Sequence, residues 1–324
     1  MQAYKISDIP LSAVSAADNE YRITGAGDDS SALAASMAAS GLLIPILVTR
    51  KVSAEAYTVV SGFKRLEVAR TLGWETIPCR VADENCPESD LAKMAVAENA
   101  FQRQLTPGEL VRGAGLLSKF MDANELADIS RAVFNTGLNS RYIKSLLSIF
   151  GLPTPAVQLL DSGQLSIKAA KLMTSFDGEA AGALLNVFSV LNLSASKQTE
   201  IITWTREIAA IEGTTVSDLL QTEDIRELLP TEDNQKDRAA AGNNLRALLF
   251  NKRYPHLDAA RKAAADSLRS LKLPKGIRMT LPENFESTVY SATFSFSSVR
   301  EFAEKTETLQ QLSAQDGLKH LLNR

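Results

Sequence analysis

The chain has 324 residues, 45% hydrophobic and 23% charged, with a formal net charge of −3. That length and balance suit two or three soluble globular domains and exclude a disordered or low-complexity protein. No apolar run approaches the roughly 18 residues of a membrane helix, and no basic segment followed by a continuous apolar core marks a secretory signal.

Cys79 and Cys86 are the only cysteines. Their spacing matches no common zinc pattern, and two histidines cannot supply the missing ligands, so a reduced cytoplasmic protein is expected. Charge is distributed in blocks. Residues 130–175 carry five Lys or Arg against one acidic residue, residues 177–235 three against eleven, and residues 236–278 eleven against three. For a nucleic-acid partner this distribution matters more than the sum.

From about residue 4 to 99 short strands alternate with helices. Ser31–Ser40 reads as a helix stopped by Gly41. Ile46–Thr49 and Tyr57–Val60 read as strands joined by the polar turn Lys51–Glu55. Helix Phe63–Leu72 ends at Gly73, and Thr76–Val81 is a third strand whose Pro78 favours an edge position. A further helix covers Ser89 to Asn99.

The junction at Ser61-Gly62-Phe63-Lys64-Arg65 is the most informative point of this region. Two cations at a helix start oppose the macrodipole, at a cost of a few tenths of a kcal/mol. An anion held by the free backbone N–H groups, Lys64 and Arg65 removes that conflict, so a phosphate site is expected there.

From about 106 to 176 the pattern is purely helical. Thr106-Pro107-Gly108-Glu109 is a capping-box helix start. A short helix Glu125–Val133, a turn Phe134–Asn139 containing Gly137, and a helix capped by Ser140 and running to Phe150 follow. In the last, Ile143, Leu146, Leu147 and Phe150 form the expected buried face, with Arg141, Lys144, Ser145 and Ser148 opposite. Two helices around a short turn, the second exposing cations, form a helix-turn-helix pattern. Residues 177–250 are helical and acidic, Pro230–Gln235 reads as a linker, and Leu257–Leu271 as a basic helix. Strands over Ile277–Pro282 and Val289–Phe296 and a helix over Ser298–Leu312 close the chain.

Residues from about 4 to 176 resemble the ParB family of chromosome- and plasmid-partition proteins. The resemblance is carried in order by Ile44–Val48, Ser61–Ala69, Ile77–Val81, Glu98-Asn99, Leu105–Glu109, the helix-turn-helix, Leu152-Pro153 and Ser162–Ala170. It implies an α+β fold class: a ParB/sulfiredoxin-like nucleotide-binding domain over 1–104 and an all-α helix-turn-helix DNA-binding domain over 105–176. A helical region over 177–275 and a small α+β unit over 276–324, suited to dimerisation, complete the organisation.

The resemblance further implies binding of CTP or another nucleoside triphosphate with Mg²⁺. The nucleotide would meet Gly62, Phe63, Lys64, Arg65, Glu98, Asn99 and Arg103, and the cation Glu98 and Asn99, whose oxygens are suitable hard ligands. Phe63 stands where the family has a glutamate and Lys64 where it has an arginine, which gives up bidentate geometry. The family's next arginine aligns with Gln102, one place before Arg103.

Double-stranded DNA would be met by Arg131, Ser140, Arg141, Lys144, Ser145, Gln164, Ser166, Lys168 and Lys171. Arg141 is best placed for a base edge or phosphate, and Lys168 and Lys171 for the backbone. A homodimer and a partition ATPase are the implied protein partners, in a nucleoid- or plasmid-associated cytoplasmic setting. The expected function is a DNA-binding protein with a nucleotide switch, acting in partition or as a related transcriptional regulator, and at most a slow triphosphatase. A nucleotide-dependent enzyme on the same fold and an interaction module that has lost its nucleotide remain alternatives. A sulfiredoxin-type thiol enzyme does not, because Phe63 occupies the place of its reactive cysteine.

Overall fold

A computed structural model describes residues 5–15, 19–25, 30–50, 56–231, 237–271, 273, 276–280, 290–313 and 318. It has a mixed α/β N-terminal part with a small sheet, followed by a mostly helical remainder. The sheet contains β1 (Lys5–Pro10), β2 (Ile46–Thr49), β3 (Thr58–Ser61) and β4 (Thr76–Val81) in the order β1-β4-β2-β3. β4 runs antiparallel to β1 and parallel to β2, and β2 runs antiparallel to β3.

Every residue of β2 and β3 is buried, because helices cover both faces of the sheet. Ile46, Val48, Val59, Ile77 and Cys79 face one core with α1 (Ser31–Ser40) and α2 (Phe63–Thr71), through Met37, Leu66 and Ala69. Leu47 and Val60, on the other side of the pleat, join the larger core, where α3 (Glu88–Gln102) contributes Leu91, Ala92, Ala95 and Val96.

That larger core runs on without a break into α4 (Pro107–Leu117), α5 (Ala123–Phe134), α6 (Ser140–Phe150), α7 (Pro155–Asp161), α8 (Ile167–Met173) and α9 (Gly178–Val190). The α4 start has the full capping box: the Thr106 side chain accepts from the Glu109 N–H, and the Glu109 carboxylate accepts from the Thr106 N–H. Glu109 is only 2% exposed. Burial alone would raise its carboxyl pKa, but hydrogen bonds from Arg103 and Thr106 and the charges of Arg103 and Arg112 hold it below 4.5.

Beyond these lie α10 (Ala195–Glu212), the short α11 (Val216–Leu220) and α12 (Glu223–Arg226), α13 (Arg238–Arg253) and α14 (Pro255–Ser270). Lys197 pairs with Asn243, Glu200 with Arg246 and Glu207 with Arg253, each pair 46 residues apart. A constant offset means that α10 and α13 run parallel and in register, and the acidic residues of one block meet cations of the next. The hairpin of β5 (Ile277–Thr280) and β6 (Ser291–Phe294) and α15 (Val299–Ser313) end the described chain, with Phe294, Phe296 and Phe302 clustered. Among the described residues no helix is long and apolar enough to cross a membrane.

Several expectations need correction. β1 was not anticipated, and its pairing makes β4 a central strand despite Pro78. Pro78 lies opposite Asp8 and precedes Cys79, the first β4 residue paired with β2, so the missing N–H falls before the second ladder begins. β3 begins one residue later than expected, at Thr58.

Asn139, not Ser140, caps α6, with its side chain accepting from the Tyr142 N–H. Ser145 is buried rather than on the polar face, its hydroxyl donating to the Arg141 carbonyl, while Phe150 is 47% exposed and Ile149 takes its place inside. The turn 51–55, most of the linker 230–235, and the ends of the two last strands at Pro282 and Val289 lie outside the described residues.

Glu109→Ala removes the acceptor of Arg103 and half of the capping box, and is expected to lower stability by about 2–4 kcal/mol in urea denaturation at pH 7. Because the folded-state pKa is depressed, this contribution is present above the ordinary value near 4.5 and is lost as pH falls through the folded value. Glu109→Gln should therefore lose less stability than the wild type on acidification below 4.5. Equal losses in the two proteins would contradict this assignment.

Candidate anion and nucleic-acid sites

β3 ends at Ser61, and the chain turns into α2 through Gly62, whose φ of +101° is in the left-handed region. The position also has no room for a side chain. A Cβ there would stand 2.6 Å from Ile46 Cγ2 and 3.1 Å from Arg65 Nη2. No side chain caps α2 and its first turn has no acidic residue, so the helix start presents backbone donors and cations together.

A cavity of about 290 Å³ opens above this turn. Gly62, Phe63, Lys64 and Arg65 line one side, Asn99, Gln102 and Arg103 at the end of α3 another. Tyr21, Ile23, Thr24, Leu33 and Ile44 complete it. Six of the seven residues expected to meet a phosphate-bearing ligand thus border one space. Glu98, the seventh, sits behind Arg65.

Arg65 is fixed by three acceptors. Its Nη1 donates to the carbonyls of Ile44 (2.8 Å) and Pro45 (3.2 Å), and its Nη2 to Glu98 Oε1 (2.6 Å). Glu98 Oε2 lies 3.4 Å from Arg80 Nη2, and it is buried without a hydrogen bond. Asn99 Nδ2 donates to the Ala95 carbonyl, which leaves Oδ1 as its acceptor. Arg103 holds Glu109 bidentately, Nη1 to Oε2 at 2.7 Å and Nη2 to Oε1 at 2.5 Å. Phe63 packs beneath Arg22, whose guanidinium lies 5.5 Å from the ring centroid and pairs with Glu67 at 2.6 Å.

The wall Tyr21–Thr24 was not found from the sequence. Its signal is a single apolar–polar–apolar alternation across Tyr21, Arg22 and Ile23, too short to identify an element. It is tied to the helical part by Arg112, whose Nε donates to the Ile23 carbonyl and whose Nη2 meets Asp161 Oδ2 at 2.6 Å. Asp161 also accepts from the Thr106 hydroxyl at 2.7 Å.

In the helix pair α5–α6 the turn is locked from within. Asn135 ends α5 in the left-handed region with φ +53°, and the Ser130 hydroxyl accepts from the Leu138 N–H at 3.0 Å. Arg131, Arg141 and Lys144 are exposed, Ser140 is half-buried, and Ser145 is buried beneath them.

The segment after α7 is internally bonded. The Gln164 side chain donates to the Ser189 carbonyl and Ser166 caps α8. The buried Gln198 holds the Gln164 carbonyl and the Ser166 N–H. Lys168 and Lys171 are exposed on α8. The helix pair and α8 each carry exposed cations, while Gln164 and Ser166 are occupied in shaping the segment that leads into α8.

Cys79 is fully buried in β4, where burial and the charge of Asp8 push its thiol up to about 12. Such a thiol is inert at neutral pH. With a thiol reagent at pH 8 the native protein is expected to modify Cys86 well before Cys79, and Cys79 only on unfolding. Equal rates in the native state would contradict the burial of β4.

Comparison with known proteins bears on the N-terminal part. Residues 1–100 match the family model of the ParB N-terminal domain. A nucleoid occlusion protein of Bacillus cereus is 32% identical over 104 residues, which are 32% of this chain and 34% of that protein. One from Halalkalibacterium halodurans is 27% identical over 148 residues, 46% of this chain and 50% of that protein. The matches thus span a third to a half of these relatives' own length.

Among solved structures, a C-terminally truncated ParB from Caulobacter crescentus complexed with CTP-gamma-S is 22% identical. The match covers 57% of this chain and 99% of that one, with a TM-score of 0.28.

Proposed function

We propose, from the premise that residues 1–100 form a ParB N-terminal domain, that this chain is a DNA-binding protein whose affinity for DNA responds to a bound nucleoside triphosphate. The observation that carries the reading is the single cavity bordered by the Gly62–Arg65 turn, Asn99 and Arg103 over the uncapped start of α2.

The donor set fits a polyphosphate. Lys64 supplies a point charge, Arg65 and Arg103 planar donors, and α2 its first backbone N–H groups. A divalent cation would draw on Glu98, whose Oε2 is buried, accepts no hydrogen bond and faces Arg80 at 3.4 Å, and on Asn99 Oδ1, once Arg65 and Arg80 give way. When bound, a triphosphate would supply concentrated negative charge and Mg²⁺ would partly neutralise it.

What the chain's own residues do is exchange partners. Arg65 and Glu98 neutralise each other, so bringing an anion to Arg65 weakens its hold on Glu98 and turns that carboxylate towards cations. Arg103 connects the same cavity to Glu109 at the start of α4, and Arg112 connects its wall to Asp161 on α7. The proposed switch is a shift in how α4 and α7 are held, which repositions α6 and the exposed Arg131, Arg141 and Lys144 for duplex DNA. Partition of a replicon or nucleoid-associated regulation is the setting that this combination suits.

Calorimetric titration with CTP, UTP, ATP and GTP in Mg²⁺ is expected to show binding of at least one, weakened about tenfold or more in Arg65→Ala and, with the Glu98 pair intact, in Lys64→Ala. Failure of the wild type to bind any of the four ends the nucleotide half. Duplex binding is expected to fall steeply with salt, and Arg141→Ala to reduce both affinity and slope. Absence of duplex binding at low salt removes the DNA half.

A further inference from the structure

The segment 19–25 separates two cavities. On one side is the cavity over α2, and on the other a space of about 610 Å³ bordered by Arg22, Arg112, Phe150, Leu152 and Asp161 among others. Thr24 borders both. Its Oγ1 is buried and has no hydrogen-bond partner, whereas the neighbouring Arg22 is engaged by Glu67 and by the carbonyls of Thr24 and Gly25. A hydroxyl held out of water without a partner destabilises a fold, and such groups are uncommon enough to call for an explanation.

The two walls of the smaller cavity differ in chemistry. The cations and backbone donors lie along Lys64, Arg65 and Arg103. The wall that carries Thr24 is largely apolar, built from Tyr21, whose hydroxyl is buried, and Ile23 with Leu33 and Ile44. A phosphate placed against that wall would lose hydration without compensation. A flat heterocycle would bury its faces against Leu33 and Ile44 and bring a polar edge to the Thr24 hydroxyl, which can donate or accept.

We propose that Thr24 is a specificity-determining residue, its hydroxyl hydrogen-bonding the polar edge of the base of the bound nucleotide. The inference rests on the nucleotide reading above and adds to it the group that selects among bases.

Thr24→Val keeps the shape and deletes the hydroxyl, and it gives two readouts of opposite sign. Its melting temperature is expected to equal or exceed that of the wild type, because an unpartnered buried hydroxyl is gone. In titrations with CTP, UTP, ATP and GTP, its affinity for the preferred triphosphate is expected to fall about three- to tenfold, the worth of one hydrogen bond. The other three should change little, so that the ranking narrows, and Thr24→Ser should restore it.

An unchanged ranking in Thr24→Val overturns the proposal. So does an equal loss for all four triphosphates, which would place the hydroxyl on the shared sugar-phosphate, and so does a lower melting temperature, which would make the role structural. Wild-type protein that binds none of the four overturns the nucleotide reading itself, a result distinct from the other three.

Discussion

A carboxylate as buried as Glu109 can remain charged only where donors replace the water it has lost. Arg103 supplies two hydrogen bonds, the Thr106 N–H a third, and the start of α4 the favourable end of a helix dipole. Each donor lies on an element whose position matters elsewhere. Arg103 ends α3 and borders the cavity over α2. Thr106 caps α4 and shares Asp161 with Arg112. Arg112 reaches back to the Ile23 carbonyl on the opposite wall of that cavity. Satisfying one buried charge therefore fixes α3, α4, α7 and the segment 19–25 relative to one another.

Gly108 shows how tightly this joint is packed. A Cβ there would stand 2.2 Å from Asp161 Oδ1, so the carboxylate rests directly on the first turn of α4. The α/β part and the helices behind it are accordingly not two bodies on a tether. They share a continuous apolar core and a polar seam of arginines and carboxylates. The Arg65–Glu98 pair belongs to the same economy of charge, since it holds together two groups that would separately suit a phosphate and a cation.

Much of this was legible in the sequence where cause and effect are adjacent. The α4 capping box and the glycine turn into α2 follow from neighbouring residues, and each is present. The face of α6 was misjudged by one position. Choosing Phe150 over Ile149 at the helix end missed that the Phe150 ring lies against Gly115 of α4 while half exposed, and that Ile149 is the residue turned inward. The central place of β4 was hidden because Pro78 counts against it locally, while its neighbour β1 lies far back in the chain, with Asp8 opposite Pro78.

The remaining features rest on contacts distant along the chain. Arg112 and Asp161 are 49 residues apart and Arg112 and Ile23 are 89, and no periodicity announces either pair. The parallel register of α10 and α13 was visible only as opposite charge blocks, whose pairing the composition suggests and whose offset it does not. The wall at Tyr21–Thr24 belongs to no helix or strand, so a reading built on periodicity passes over it.

The central proposal is that the arginine–carboxylate seam would transmit nucleotide occupancy to α5 and α6, the helices proposed to meet DNA. Duplex affinity measured with and without saturating nucleotide, paired with nucleotide affinity measured with and without duplex, tests it most directly. The account predicts the same factor from both directions, about fivefold or more, falling towards one in Arg112→Met while each ligand still binds alone. Duplex affinity that is indifferent to nucleotide in the wild type, with both ligands bound, would contradict it.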